Sequence, residues 1–148
     1  AWLFFISKVI ELLDTIFFII RKKNNQVTFL HVYHHTSMIL FSWTVVKFLP
    51  KDSNISYPVV NCVVHIVMYA YYGLAALGPE MRPFLWWKKY ITRLQIGQFF
   101  ILIAQTVGIM IFDCPAPTAF LVIIACYIFT ILLLFLNFYI RAYLHSPR

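Results

Sequence analysis

Five apolar stretches divide the chain, at residues 2–20, 27–49, 58–77, 90–112 and 118–140. A helix that crosses the hydrocarbon of a bilayer needs about 20 mostly apolar residues, and lipid leaves no other way to satisfy the backbone of a single segment. The pattern therefore predicts five transmembrane helices. The breaks between them, at 21–25, 50–57, 78–83 and 113–117, are rich in Asn, Asp, Gly and Pro, which is turn chemistry. No internal repeat interrupts the series, so the expectation is one all-α membrane domain over residues 1–148.

Polar positions break these apolar runs at helical spacing. The first stretch carries Lys8, Glu11 and Asp14. A charge at mid-bilayer costs roughly 2.5–3.5 kcal/mol on insertion scales. Lys8, Glu11 and Thr15 share one face, which fits mutual neutralisation within the helix as well as a functional site. The second stretch carries His31, His34 and His35 on one arc; the third carries Asn61, His65, Met68, Tyr69 and Tyr72; the fourth carries Thr92, Gln95 and Gln98. Tyr and Gln also join helices by hydrogen bonds, so they mark a site less sharply than the histidines do.

Composition agrees with lipid as the solvent. The 148 residues are 62% hydrophobic and 11% charged, with mean hydropathy +0.81, whereas a soluble domain carries about 25% charged residues. Twelve Lys and Arg face five Asp and Glu. A pI near 9.5 would fit nucleic-acid binding in a soluble protein. Here the basic residues sit between apolar runs, which reads as membrane topology and not as a nucleic-acid surface. Arg21, Lys22, Lys23, Arg82, Lys88, Lys89, Arg93, Arg141 and Arg148 fall on one side, and Lys47 and Lys51 on the other. The positive-inside rule puts the first group, and the C-terminus, in the cytosol. The sequon at Asn54 then lies on the non-cytosolic side. Cys62, Cys114 and Cys126 are odd in number and widely spaced, and read as packing residues.

Depth sorts the polar groups. At about 1.5 Å per residue, Lys8 and His65 lie roughly 18 Å from the cytosolic helix ends, and His31 to His35 about 6–12 Å. The far halves, such as 39–46 and 99–112, are mostly apolar. The reading is a polar chamber open to the cytosol, ringed by cations, with an apolar end behind it. A ligand with an anionic head, a reactive middle and an apolar tail fits that layout, and acyl-CoA is one.

Four motifs follow in order. Residues 8–15 read KxxExxDT from Lys8 through Glu11 and Asp14 to Thr15. Residues 31–35 read HxxHH. Residues 65–72 read HxxMYxYY with Asn61 four positions before, and residues 92–98 read TxxQxxQ. In this series the chain resembles the ELO family of very-long-chain fatty-acid elongases over nearly its whole length, most closely the polyunsaturated-acyl subgroup. The resemblance implies a seven-helix protein of the endoplasmic reticulum membrane, six helices forming a barrel around a substrate tunnel, with two helices upstream of Ala1.

It further implies condensation of acyl-CoA with malonyl-CoA to 3-oxoacyl-CoA, CO2 and CoA, with no cofactor and no metal. Among catalytic candidates, His34 is expected as nucleophile, with His31, His35 and His65 orienting it, moving protons or holding the thioester. A route in which the box acts only as base and oxyanion donor stays open. Lys8, Glu11, Asp14, Arg21, Lys23, Gln26, Asn61, Tyr69, Tyr72, Lys88, Thr92 and Gln95 are the candidate substrate contacts. A second copy of the chain and the other elongation-cycle enzymes are the candidate protein partners. HxxHH boxes also serve membrane di-iron desaturases and hydroxylases, which use more His ligands than the five present here. A metal-dependent lipid desaturase or hydroxylase is the alternative, and a channel or transporter would also bury charges.

Overall fold

The computed structural model describes residues 2–20, 22, 28–48, 56–112 and 117–144, apart from the side chains of Phe18 and Arg82. Five α-helices occupy the five apolar stretches: α1 (Trp2–Ile20), α2 (Phe29–Phe48), α3 (Ser56–Ala76), α4 (Lys88–Ile111) and α5 (Thr118–Tyr139). A 3-10 segment, Pro79–Leu85, links α3 to α4, and a π-helical turn, Ile140–Leu144, continues α5. Among the described residues every regular element is helical. The helices group into two compact units, 1–55 and 56–148.

The first unit is a helix pair, α1 packed on α2. Neither helix contains Gly or Pro, so nothing breaks the backbone ladder. Among the described residues, those this unit buries are Lys8, Glu11, His34, His35 and Ser42. Apolar side chains such as Leu3, Ile10, Ile20 and Leu40 point outward, 58–85% exposed.

In the second unit α4 packs on both α3 and α5. Pro58 is tolerated in the first turn of α3, where the missing N–H costs nothing. α3 stops at Gly78, whose φ of 114° is open to glycine and strained for other residues. Pro79 then starts the 3-10 segment, where the sequence alone predicts an open loop. Pro117 opens α5, its carbonyl accepting the N–H groups of Phe120 and Leu121 at 2.9 and 3.1 Å. The core is a stripe along α5 of Leu121, Ile124, Ile128, Ile131 and Leu132, at three- and four-residue steps, against Ile91, Phe99 and Leu102 of α4. The Phe99 and Phe135 rings meet at 5.0 Å between centroids.

Among the described residues, three segments are long and apolar enough to cross a membrane: Ser56–Ala76, Pro83–Ile111 and Thr118–Leu144. The protein is an all-α membrane protein. α1 and α2 have the length, 19 and 20 residues, but Lys8, Glu11 and Asp14 in one and three histidines in the other lower their apolar character.

Candidate active site

The site in the first unit starts from a helix cap. Thr28 precedes α2, and its Oγ1 accepts the backbone N–H of His31 at 3.2 Å. Its carbonyl accepts the N–H of Val32 at 3.1 Å. An N-cap of this kind satisfies donors that a helix start leaves open. It sets the rotation of the first two turns of α2, which hold His31, His34 and His35.

α1 supplies the partners. Thr15 Oγ1 and His31 Nε2 share a hydrogen bond at 2.9 Å, with the donor set by the imidazole tautomer. One turn away, Glu11 Oε2 lies 3.7 Å from His35 Nδ1. Glu11 Oε1 accepts a hydrogen bond from Lys8 Nζ at 2.5 Å. The Lys8 ammonium also stands 4.8 Å from the centre of the Phe4 ring. The His31 and His35 rings are 4.5 Å apart, and His34 meets His35 edge-on at 5.2 Å.

These contacts join Lys8, Glu11, His35, His31 and Thr15 into one series, with His34 beside it. Lys8 is 1% exposed, Glu11 6%, His35 6% and His34 8%. Asp14 is half-buried on the same helix. A carboxylate facing one ring nitrogen favours the proton there and leaves the other nitrogen as base or nucleophile. Burial makes each of these electrostatic contacts stronger than it would be in water.

The second unit holds the remaining candidates. Asn61 and His65 of α3 are 5% and 8% exposed. Tyr69, half-buried, has its ring 5.9 Å from His65 and 6.5 Å from Tyr72, which is exposed. Gln95 Nε2 lies 3.5 Å from Met68 Sδ, linking the third and fourth motifs across α3 and α4. Thr92 is buried, with its Oγ1 3.4 Å from the Tyr143 hydroxyl, and Gln98 is buried too. Lys88 is exposed at the start of α4. Arg21, Lys23 and Gln26 lie outside the described residues, as do Asn54, Cys114 and His145.

Some contacts have no counterpart in the sequence reading. Thr15 is the direct partner of His31; its place on the Lys8–Glu11 face was the available signal. Two side-chain hydrogen bonds also join the mostly apolar far ends of α3 and α4. There the Tyr57 hydroxyl meets Thr106 Oγ1 at 2.8 Å, and Gln105 Nε2 donates to Ser56 Oγ. Among the described residues, no group of three or more His, Cys, Asp or Glu side chains is arranged to hold a metal ion.

An apolar exterior around buried imidazole, carboxylate and ammonium groups defines a membrane protein with a polar interior cluster, and sequence comparison gives its family. The profile of the ELO family, described as the GNS1/SUR4 family, matches residues 1–148, and the chain belongs to that family. It is 45% identical over 146 residues to very long chain fatty acid elongase 2 of Mus musculus, covering 99% of this chain and 50% of the relative. It is 46% identical over 142 residues to elongase 5 of Xenopus tropicalis, covering 96% and 48%. Elongase 4 of Homo sapiens is likewise 46% identical over 142 residues, covering 96% and 45%. The chain thus spans about half the length of the relatives it matches.

Proposed function

We propose that this chain carries the condensing centre of a fatty-acid elongase, joining long-chain acyl-CoA to malonyl-CoA. The observation that carries the reading is the series of Glu11, His35, His31 and Thr15, buried at Glu11 and His35 and half-buried at His31 and Thr15, with His34 at its edge, in a family whose named relatives are very long chain fatty acid elongases. Imidazole near neutral pH supplies both the nucleophile and the base that a decarboxylative Claisen condensation requires.

In the proposed first step His34 attacks the thioester carbonyl of acyl-CoA. The C–S bond breaks, the imidazole loses its N–H proton to the departing thiolate, and an acyl-imidazole forms with free CoA. Malonyl-CoA then loses CO2, and the electron pair of the broken C–C bond becomes an enolate. The enolate carbon attacks the acyl-imidazole carbonyl and expels the imidazole, which takes up one proton. The net products are 3-oxoacyl-CoA, CO2 and CoA, with one proton consumed.

Glu11 and Thr15 hold His35 and His31 so that these rings orient His34 and carry its protons, and Lys8 balances the Glu11 charge. His65 is the candidate for holding the thioester carbonyl or the malonyl unit. Lys88, Thr92 and Gln95 are candidates for CoA and acyl contacts, with Arg21, Lys23 and Gln26. The same reading puts the protein in the endoplasmic reticulum membrane, C-terminus in the cytosol, with a preference for polyunsaturated chains.

The test uses the full-length protein in vesicles. With acyl-CoA alone, a burst of about one equivalent of CoA per protein and an acyl adduct on His34 are expected. CoA release only with malonyl-CoA present would replace the covalent route by a concerted one. Product that forms without malonyl-CoA, and only with iron and oxygen, would overturn the reading in favour of a desaturase or hydroxylase.

A further inference from the structure

One end of the second unit gathers Lys89, Arg93 and Arg141, none of them among the candidate substrate contacts. The start of α4 and the end of α5 lie together there, joined by the Arg93 side chain. Arg93 Nε donates to the Tyr139 hydroxyl at 2.8 Å. Its guanidinium also stands 5.4 Å from the Tyr90 ring centre and 5.7 Å from that of Tyr139. Lys89 Nζ is 5.3 Å from the same Tyr90 ring. At the same end Arg141 Nε donates to Asn137 Oδ1 at 3.1 Å.

Arg93 is held, yet exposed. Two tyrosine rings and one hydroxyl fix its Nε edge, and among the described residues its terminal amino groups have no hydrogen-bond partner. A guanidinium fixed on one edge presents its remaining donors in the planar fork that suits phosphate oxygens. Fixing it beforehand reduces the ordering cost of binding. Glu80, the only carboxylate among the described residues of this unit, forms no ion pair with these cations. Among the described residues, no acidic side chain pairs with Lys89, Arg93 or Arg141.

Depth selects the source of the phosphate. Arg93 is five residues into α4, within about 8 Å of its start at 1.5 Å per residue. It sits in a segment apolar enough to span the bilayer, between Tyr90 and Tyr139. Trp86 and Phe84 lie just before that helix, 71% and 63% exposed. Exposed aromatic rings beside cations are characteristic of the membrane–water interface, at the level of the lipid headgroups. An anionic leaflet attracts basic residues there by about 1 kcal/mol each.

We propose that Arg93, held by Tyr139 and Tyr90 and joined by Lys89, forms a binding site for the phosphate of an anionic phospholipid on the outer surface of the α4–α5 pair. The proposal does not depend on how the condensing centre works.

The test is native mass spectrometry of the full-length protein released from nanodiscs of phosphatidylcholine with phosphatidylserine. Wild type retains phosphatidylserine above its bulk fraction. Arg93→Gln lowers that retention about fivefold, the value of one basic residue at an anionic surface, and Lys89→Gln by a similar factor. Arg93→Lys, which keeps the charge without the fork, falls between. Tyr139→Phe, which removes the hydroxyl and keeps the ring, reduces retention with the charge unchanged. Equal retention of the two lipids by wild type would overturn the proposal. So would Arg93→Gln retaining phosphatidylserine like wild type, or a raised KM for acyl-CoA in that variant with lipid retention unchanged, which would assign the patch to CoA phosphates.

Discussion

The two units of this chain bury opposite chemistries. Among the described residues, α1 and α2 bury Lys8, Glu11, His34, His35 and Ser42 and no large apolar side chain. α3 to α5 bury Val64, Ile91, Phe99, Leu102 and a five-residue stripe on α5, alongside a few polar groups. In lipid this contrast is physical sense. Apolar side chains gain little by leaving hydrocarbon for protein, so packing quality and interhelical hydrogen bonds hold such helices together. Buried ionisable groups are costly and mark function by default. On the proposed reading the second unit is mainly an apolar scaffold that also buries His65, and the first spends stability on reactive groups.

The largest effect expected from breaking this contrast is at the ion pair. Glu11→Gln leaves the Lys8 ammonium without its charge partner and should cost about 3–5 kcal/mol of stability, read as unfolding of the full-length protein in mixed micelles. The double change Lys8→Met with Glu11→Leu should recover much of that stability and none of the activity. Full activity in the double variant would make the pair purely structural. Next, Ile131→Ala opens a cavity in the scaffold, at a side chain 1% exposed, and should cost about 2–5 kcal/mol. The protein that stays folded should condense substrate at the wild-type rate. A collapse of kcat in that folded fraction would erase the division between scaffold and site.

Smaller effects sharpen the comparison. Thr15→Val keeps the shape and removes the hydroxyl that holds His31. An intramolecular hydrogen bond is worth about 0.5–1.5 kcal/mol, so kcat should fall about threefold to tenfold with KM little changed. A pure KM effect would show that Thr15 binds substrate and does not position His31. Tyr57→Phe removes the α3–α4 hydrogen bond to Thr106. Interhelical bonds in membranes average about 0.6 kcal/mol, so stability should drop by about that much and activity not at all. A loss of activity would place that end of the scaffold in the reaction path.

Much of this was readable in the sequence because bilayer thickness imposes length and hydropathy on each segment. All five helices follow from the apolar runs. Their ends shift by one or two residues, because Ser56, Lys88 and Lys89 are polar yet helical, and Thr28 is a cap instead of a helical residue. The Lys8–Glu11 pair was readable because it is local, at i and i+3. The partners across helices were not. Thr15 on His31, Glu11 on His35 and Gln95 on Met68 depend on the rotation and register of one helix against another, which periodicity within a helix does not encode. The 3-10 form of Pro79–Leu85 is not legible in the sequence, since two prolines and a glycine mark a break without saying that the break is itself helical.

The most direct test of the central claim is condensation by the full-length protein and its His34→Ala variant, both in vesicles, with labelled malonyl-CoA and a polyunsaturated acyl-CoA. Wild type should release CO2 and put label into a 3-oxoacyl-CoA two carbons longer than the acceptor. His34→Ala, with unchanged helix content and unfolding midpoint, should give neither above background. Labelled product from a folded His34→Ala protein at the wild-type rate would contradict the account.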